Sequence, residues 1–158
     1  MKIGVLSDTH LNHITPWLQK MVETHLQGMD LILHAGDIVS LEVYHYLRQL
    51  PLEAVQGNMD EKGLRGVLPQ KKIFSVGAFQ IGLIHGWGPP WGLENRLQPE
   101  FSGIHCLIYG HSHIPSNHWS GGILFFNPGS ASKSVLGRKA TIGIIHLNDH
   151  LEGEIVEL

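Results

Sequence analysis

The chain has 158 residues, of which 42% are hydrophobic, and its formal net charge is −3 at pH 7. A chain of this length usually folds into one domain with a sizeable core, so we expect residues 1–158 to form a single domain. The composition gives no strong signal for nucleic-acid binding, and no segment approaches the roughly 18 apolar residues of a membrane span. The only cysteine, Cys106, excludes an internal disulfide, and we expect a cytoplasmic location.

The first half of the sequence is predicted to alternate strands and helices. Short apolar runs predict strands at Lys2–Leu6, Leu31–Leu33 and Leu52–Val55. A first helix is predicted after Thr15, which can cap it with Pro16 at its first position. A second is predicted over Leu41–Leu50 and is ended by Pro51. This order, β-α-β-α-β, favours a parallel sheet with right-handed crossovers.

The second half is predicted to be richer in strands. Their predicted bounds are Lys72–Val76, Phe79–Ile84, His105–Tyr109, Ile123–Phe126, Ala140–Leu147 and Leu151–Glu157. Gly77-Ala78 allows the first two of these strands to form a hairpin, and Trp91–Leu97 is predicted to be a short helix. No internal repeat or linker separates the two halves.

Residues with metal-ligand chemistry follow five of the predicted strands. In chain order they occur in Asp8-Thr9-His10, Gly36-Asp37, Gly57-Asn58, His85-Gly86 and Gly110-His111-Ser112-His113. Ligands of open α/β sheets bind beyond the carboxyl ends of the strands, so we expect these side chains to converge. Carboxylate, imidazole and carboxamide donors without a thiolate suit Mn, Fe, Co, Ni or Zn. Seven such donors satisfy two adjacent cations when one carboxylate bridges them, which predicts a dinuclear metal hydrolase acting on phosphate esters.

Each of these residues also has a plainer interpretation. An Asp or Asn after a strand is commonly a turn or helix-capping residue, and His85 alone could be a hydrogen-bonded core histidine. The His111-Ser112-His113 pair is more distinctive, and the joint pattern favours the metal site because independent turn residues have no reason to supply a full ligand set. The remaining histidines lack this context and are predicted to be surface or structural residues: His13, His25, His34, His45, His105, His118, His146 and His150.

Taken in order, the five motifs resemble those of the calcineurin-like metallophosphoesterases. The resemblance is closest to the small single-domain phosphodiesterases of the YfcE type in bacteria and archaea. It runs from Lys2 to about Ser130, where Asn127-Pro128-Gly129-Ser130 is similar to a late loop of that family. The resemblance implies an α/β fold, a four-layer αββα sandwich in which two mixed β-sheets are flanked by helices.

The same resemblance implies a ligand set. One cation would be held by Asp8, His10 and His113, the other by Asn58, His85 and His111, with Asp37 bridging both. Asn58 would also hydrogen-bond the substrate phosphate and thus act in catalysis. A hydroxide bridging two divalent metal ions would attack phosphorus in line with the leaving oxygen. Manganese is the expected metal, with Fe, Zn, Ni or Co as alternatives.

Two positions depart from the family pattern. Met59 follows Asn58 where larger members carry a histidine near the leaving group, and the single-domain subgroup commonly has cysteine there. Methionine cannot donate a proton, which predicts slower turnover and a preference for leaving groups of low pKa. Trp87 stands where relatives often carry a second histidine. We expect the loop Trp87–Trp91 to be stiff and to pack its own aromatic side chains, with stacking on a base or aromatic leaving group as the alternative.

The expected function is therefore a metal-dependent phosphodiesterase, or broader phosphoesterase, acting on a small substrate. Since no cap domain is inserted, we expect a shallow, open cleft. One alternative is a non-catalytic interaction module with the same fold, since retromer contains such a subunit with a degraded metal pocket, and here no ligand is replaced. Hydrolysis of a non-phosphate bond is another. The sequence predicts no membrane association, and it leaves open a homo-oligomer that pairs through the second sheet.

Overall fold

The computed structural model describes residues 1–132 and 139–158 of the chain. These residues form ten strands: β1 (Lys2–Leu6), β2 (Leu31–His34), β3 (Leu52–Ala54), β4 (Lys71–Val76), β5 (Phe79–Ile84), β6 (Cys106–Ile108), β7 (Ser116–Ser120), β8 (Ile123–Asn127), β9 (Thr141–Leu147) and β10 (Leu151–Glu157). They also form four α-helices: α1 (Pro16–Met21), α2 (Leu41–Leu47), α3 (Lys62–Val67) and α4 (Leu93–Leu97). A π-helical turn (Val22–Leu26) extends α1, and a 3₁₀ turn (Gln98–Glu100) follows α4.

The first sheet has the strand order β10-β9-β1-β2-β3. Strands β1, β2 and β3 are parallel to one another, with Ile3 opposite Leu31 and Ile32 opposite Leu52. This pairing confirms the parallel arrangement predicted from the β-α-β-α-β order. Strands β9 and β10 add an antiparallel edge, so the sheet as a whole is mixed.

The second sheet has the order β4-β5-β6-β8-β7 and is also mixed. Its inner strands β5, β6 and β8 are parallel, whereas β4 and β7 pair antiparallel at the two edges. The predicted hairpin between β4 and β5 is confirmed, with Val76 opposite Phe79. Three strands of each sheet therefore end at one edge in the same sense, which suits them to carry functional loops.

Successive side chains of a strand point to opposite faces of the sheet, and this alternation determines which residues lie between the two sheets. Ile3 and Val5 of β1 lie in a cluster with Ile81 and Cys106 of the second sheet, so this cluster fills the space between the sheets. Leu6, the next position of β1, lies instead in a cluster with residues of α1 and α2. Residues of α4 pack with β6 and β8 on the other outer face. The four-layer αββα sandwich predicted by the family resemblance is thus confirmed.

Local sequence explains where the helices begin. The Thr15 side chain accepts a hydrogen bond from the backbone N–H of Leu18 at 3.2 Å, and Pro16 is the first helical residue, as predicted. Ser40 caps α2 in the same way, accepting from the N–H of Val43 at 3.3 Å. The α-helical part of α2 ends at Leu47, three residues before the predicted limit, and a turn leads on to Pro51.

Two elements were not predicted. Strand β7 reads Ser-Asn-His-Trp-Ser, and no residue in it is buried, so it lacks the apolar alternation that predicts a strand. Helix α3 contains two glycines and buries only Leu64, which leaves no amphipathic pattern. No helix among the described residues is long and apolar enough to cross a membrane.

Candidate metal centre

All seven predicted ligands lie on loops that follow strands, and the fold brings these loops together. Asp8 and His10 follow β1, Asp37 follows β2, and Asn58 follows β3. The second sheet contributes His85 after β5 and the pair His111 and His113 after β6. Both sheets therefore build the site, which lies beyond the carboxyl ends of the parallel strands.

Three of these side chains meet around one buried oxygen, Oδ1 of Asp8. His113 Nε2 lies 3.0 Å from it and His10 Nε2 lies 3.5 Å from it. The two imidazole nitrogens are themselves 3.2 Å apart. Asp8 Oδ1 has no hydrogen bond of acceptable geometry with any described residue, although Asp8 is completely buried. A buried carboxylate oxygen facing two imidazole nitrogens is the arrangement that a divalent cation would satisfy.

A second group lies next to the first and shares carboxylates with it. His85 Nε2 is 3.3 Å from Asp37 Oδ2 and 4.0 Å from Asp8 Oδ1. The same Asp37 oxygen is 3.7 Å from His10 Nε2, so Asp37 lies between the two groups. Asn58 Oδ1 is 3.1 Å from both His85 Nε2 and His111 Nδ1. Two groups of side chains therefore have their ligand atoms close enough together to hold a metal ion: Asp8 with His10 and His113, and Asp8 with Asp37 and His85.

Supporting hydrogen bonds fix which atom of each ligand faces the centre. Nδ1 of His85 donates to the carbonyl of Ala35 at 2.7 Å, and Nε2 of His111 donates to the carbonyl of Gly88 at 2.8 Å. Because a carbonyl only accepts, the proton of each neutral ring lies on that nitrogen and the lone pair lies on the other. His85 thus offers Nε2 to the site, whereas His111 offers Nδ1.

The carboxylate of Asp8 is held in the same manner. Its Oδ2 accepts hydrogen bonds from Ser7 Oγ at 2.5 Å and from the backbone N–H of His111 at 3.0 Å. These bonds occupy one oxygen and leave Oδ1 directed toward the two histidines. Ser7 is fully buried and was not predicted, because a serine before an aspartate at a strand end is also typical of an ordinary turn.

Asp60 is a second supporting residue that the sequence analysis did not assign. Its carboxylate accepts from the backbone N–H groups of Val39 and Gly57, both at 2.7 Å, and so joins the loop of Asp37 to the loop of Asn58. The backbone N–H of Met59 donates to Asp37 Oδ1 at 2.7 Å, leaving Oδ2 for the centre. No short-range pattern in the sequence indicates these contacts between loops.

Electrostatic interactions among the side chains of the site favour ionised Asp8 and Asp37 and protonated His10 and His85. Burial alone would raise the pKa of Asp8, but the close imidazoles of His10, His113 and His85 hold that pKa far below its usual range. The nearby Asp8 carboxylate raises the pKa of His10 against the effect of burial. Burial would lower the pKa of His85, yet contact with Asp37 and Asp8 raises it. Protons therefore compete with cations for the imidazoles.

The backbone at the centre is strained. Five of the seven predicted ligands have positive φ: Asp8 (53°), His10 (48°), Asp37 (59°), His111 (66°) and His113 (56°). Residues other than glycine rarely adopt this left-handed backbone conformation. Each one that does lowers the stability of the fold by about 1–3 kcal/mol. Strain of this kind is concentrated where function, rather than folding, fixes the residue type.

Glycines allow the loops to approach closely at two points. A Cβ on Gly57 would lie 2.1 Å from Asp37 Oδ1, and a Cβ on Gly110 would lie 1.8 Å from Ser7 Oγ. Only the absence of a side chain lets these loops pack against the two carboxylates.

The remaining histidines lie outside the centre, and His34, predicted to be surface or structural, is a fully buried structural residue that contacts Thr9 Oγ1 at 2.7 Å.

The structure is an α/β sandwich with candidate cation ligands on the loops beyond the strand ends, and comparison with known proteins gives its family. The family model for the calcineurin-like phosphoesterase superfamily domain matches residues 1–150. The chain belongs to this superfamily of metal-dependent phosphoester hydrolases. The resemblance inferred from the five motifs is thereby confirmed.

Individual relatives agree with this assignment. A "probable metallophosphoesterase" of Methanocaldococcus jannaschii is 36% identical over 162 residues, covering 100% of this chain and 82% of the relative. An archaeal phosphodiesterase of known structure superposes with a TM-score of 0.81 at 24% identity, covering 100% of both chains, and shows the fold. Vps29 of Entamoeba histolytica, solved in complex with Zn²⁺, has a TM-score of 0.74 at 26% identity, covering 99% of each chain.

Proposed function

We propose that the chain is a single-domain phosphodiesterase whose centre binds two divalent cations. The ligands of one cation are Asp8, His10 and His113, those of the other are Asn58, His85 and His111, and Asp37 joins both. When bound, such a pair supplies a nucleophilic hydroxide at neutral pH and offsets the charge of the phosphate. The observation that carries the proposal is the buried Asp8 Oδ1, which has no hydrogen bond from a described residue and faces two imidazole nitrogens.

Asn58 is proposed to bind the substrate as well as a cation. Its Oδ1 faces His85 and His111, so its Nδ2 is left to donate to a phosphate oxygen. Asn58 is exposed, and Arg65 donates to the backbone carbonyl oxygen of Asn58 at 2.7 Å, which fixes the loop. A group held in this way positions the phosphate without having to reorganise during the reaction.

Met59 supports a preference for activated substrates. The side chain is 58% exposed at the rim of the centre and has no dissociable proton. A leaving group near Met59 receives no proton from it, so leaving groups of low pKa should depart fastest.

Asp, His and Asn donors suit manganese, iron, cobalt, nickel or zinc, and manganese is the ion proposed first. The cytoplasmic location expected from the sequence stays a prediction, and the sequence leaves a homo-oligomer open.

The direct test is hydrolysis of bis(p-nitrophenyl) phosphate by chelator-treated protein to which Mn²⁺ is returned. We expect Mn²⁺-dependent release of nitrophenol by the wild type. In Asp37→Ala and His85→Ala the rate should fall by more than about 100-fold, since losing even a group that supports a ligand costs about 10–100-fold. His13→Ala is the matched control, because His13 is an exposed histidine paired with Glu42 at 3.0 Å, away from the centre. Equal rates in all four proteins would refute the proposal.

A second candidate, a non-catalytic interaction module, is favoured by the similarity to Vps29. That protein shares the fold and was solved with Zn²⁺, so cation binding alone does not distinguish the two functions. Metal quantification therefore has to accompany the hydrolysis assay. A chain that binds Mn²⁺ but hydrolyses no member of a phosphoester panel would favour the interaction module.

A further inference from the structure

Two large aromatic side chains are exposed beside the centre. Trp87 is 46% exposed and Trp91 is 75% exposed, both on the loop between β5 and α4. The expectation that this loop packs its own aromatic side chains is therefore wrong. Tryptophan carries a large apolar surface that is mostly buried in folded chains, so this exposure calls for a specific explanation.

The loop is nevertheless held firmly, so the exposure does not reflect a loose segment. Arg96 donates from its guanidinium to the backbone carbonyls of Trp87 at 3.2 Å, of Trp91 at 2.9 Å and also of Pro89. Gly88 accepts the hydrogen bond from His111 Nε2. The loop that carries Trp87 is thus tied to one of the proposed cation ligands, and its position relative to the centre is fixed.

Trp87 lines a groove that begins at the centre itself. The groove has a volume of about 460 Å³, and its lining includes Asn58 and His85 of the centre together with Gln56, Gln70, Arg65, Lys71 and Glu100. This volume lies within the range of small-molecule sites. Gln56 donates from Nε2 to the carbonyl of Leu68 at 2.9 Å, which leaves its Oε1 to accept.

We propose that Trp87 stacks against the base of a nucleoside joined to the scissile phosphate, which makes Trp87 a specificity-determining residue for nucleoside diesters. This inference rests on the proposed phosphodiesterase function. Three features of the groove fit such a substrate. Asn58 and His85 are available to the phosphate, Trp87 supplies an aromatic ring, and the glutamines supply both donors and acceptors for the edge of a base. Arg65 adds positive charge for an anionic substrate, whereas the charge of Lys71 is paired with Glu100 of the same groove at 2.8 Å.

The test compares two diesters that share a leaving group and differ in the group that remains on phosphorus: thymidine 5′-(p-nitrophenyl phosphate) and methyl p-nitrophenyl phosphate. Stacking of a base on an aromatic side chain is worth about 1–3 kcal/mol, which corresponds to roughly 5- to 150-fold. Trp87→Ala should therefore lower kcat/KM for the thymidine ester by about 10-fold or more, and for the methyl ester by less than about 2-fold. Trp87→Phe should retain most of the thymidine preference.

The control variant is Trp119→Ala, which removes another exposed tryptophan, 53% exposed, from β7. This variant should leave kcat/KM unchanged for both the thymidine ester and the methyl ester. Equal losses for the two esters in Trp87→Ala, or an unchanged thymidine preference, would overturn the inference while the phosphodiesterase proposal stands.

A binding measurement separates the two proposals if turnover is absent. Calorimetry of thymidine 5′-monophosphate and methyl phosphate with the Mn²⁺-loaded protein requires no catalysis. We expect Trp87→Ala to weaken binding of the nucleotide by about 10-fold and to leave methyl phosphate binding unchanged. If no diester is hydrolysed, the phosphodiesterase proposal fails, and the nucleotide result alone then supports or overturns the role of Trp87.

Discussion

Replacing Gly57 by alanine is expected to disrupt cation binding through Asp37. The added Cβ would lie 2.1 Å from Asp37 Oδ1 and 2.3 Å from the Asp37 backbone nitrogen. Favourable contacts between non-bonded heavy atoms lie at about 3.5–4.0 Å, so the two loops must separate by more than about 1 Å. Because a backbone atom is involved, a change of rotamer cannot relieve the overlap. A displacement of about 1 Å at a reacting centre costs on the order of 100-fold in rate.

The assay measures Mn²⁺ stoichiometry and affinity by calorimetry, followed by phosphodiester hydrolysis and urea denaturation. We expect Gly57→Ala to remain folded, with stability reduced by about 1–3 kcal/mol from overpacking, and to bind Mn²⁺ more weakly and turn over about 100-fold more slowly. Gly66→Ala is the matched control. Gly66 lies in α3 with no atom within 4 Å of an added Cβ, so alanine should stabilise by about 0.5–1 kcal/mol. Gly57→Ala protein with wild-type Mn²⁺ affinity would refute the role given to Asp37.

Three further outcomes are expected. Ser7→Ala removes the donor to Asp8 Oδ2 and should weaken Mn²⁺ binding by about 10- to 100-fold in calorimetry, and an unchanged affinity would count against this support. Asp60→Asn should cost about 1.5–3 kcal/mol in urea denaturation, because hydrogen bonds to a buried carboxylate are lost or weakened, and a smaller loss would show that the loops do not depend on it. Burial lowers the pKa of His34 from 6.5 to about 3, so its neutral ring, which accepts from the N–H of Gly36, stabilises the fold fully above pH 6.5. As the pH falls from 6.5 toward 3, stability should decrease by up to about 1.4 kcal/mol per pH unit, and His34→Gln should decrease less steeply. Identical slopes in the two proteins would contradict this assignment.

The elements that could be predicted from the sequence are those whose own residues carry the signal. Strand β1 is apolar at every position after Lys2, and α1 has a capping threonine followed by proline, so local rules suffice. The polar strand β7 forms because it pairs with β8 across the edge of the sheet, and this information lies in β8 and not in β7 itself. Propensity and periodicity describe a segment and not its partner.

The same distinction applies to the centre. The candidate ligands could be predicted because each is a distinctive residue type directly after a strand. The contacts that orient them could not, since Ala35 and Gly88 act through backbone carbonyls that any residue would supply. In the sequence, Ser7 and Asp60 look like ordinary polar residues at turns. Only the folded structure shows that Ser7 donates to a carboxylate and that Asp60 accepts from a backbone N–H of another loop.

At the proposed ligands, the residue type that would bind a cation is not the residue type that would make the fold most stable, because the backbone there is left-handed. His113 has a φ of 56°, a conformation that glycine adopts freely and that costs other residues about 1–2 kcal/mol. A change to glycine there would discard an imidazole and relax the main chain in the same step. Selection for stability alone would therefore favour replacing the proposed ligands one by one. The two-sheet fold would stay intact. A chain of this fold would then lose its proposed cation centre without losing stability.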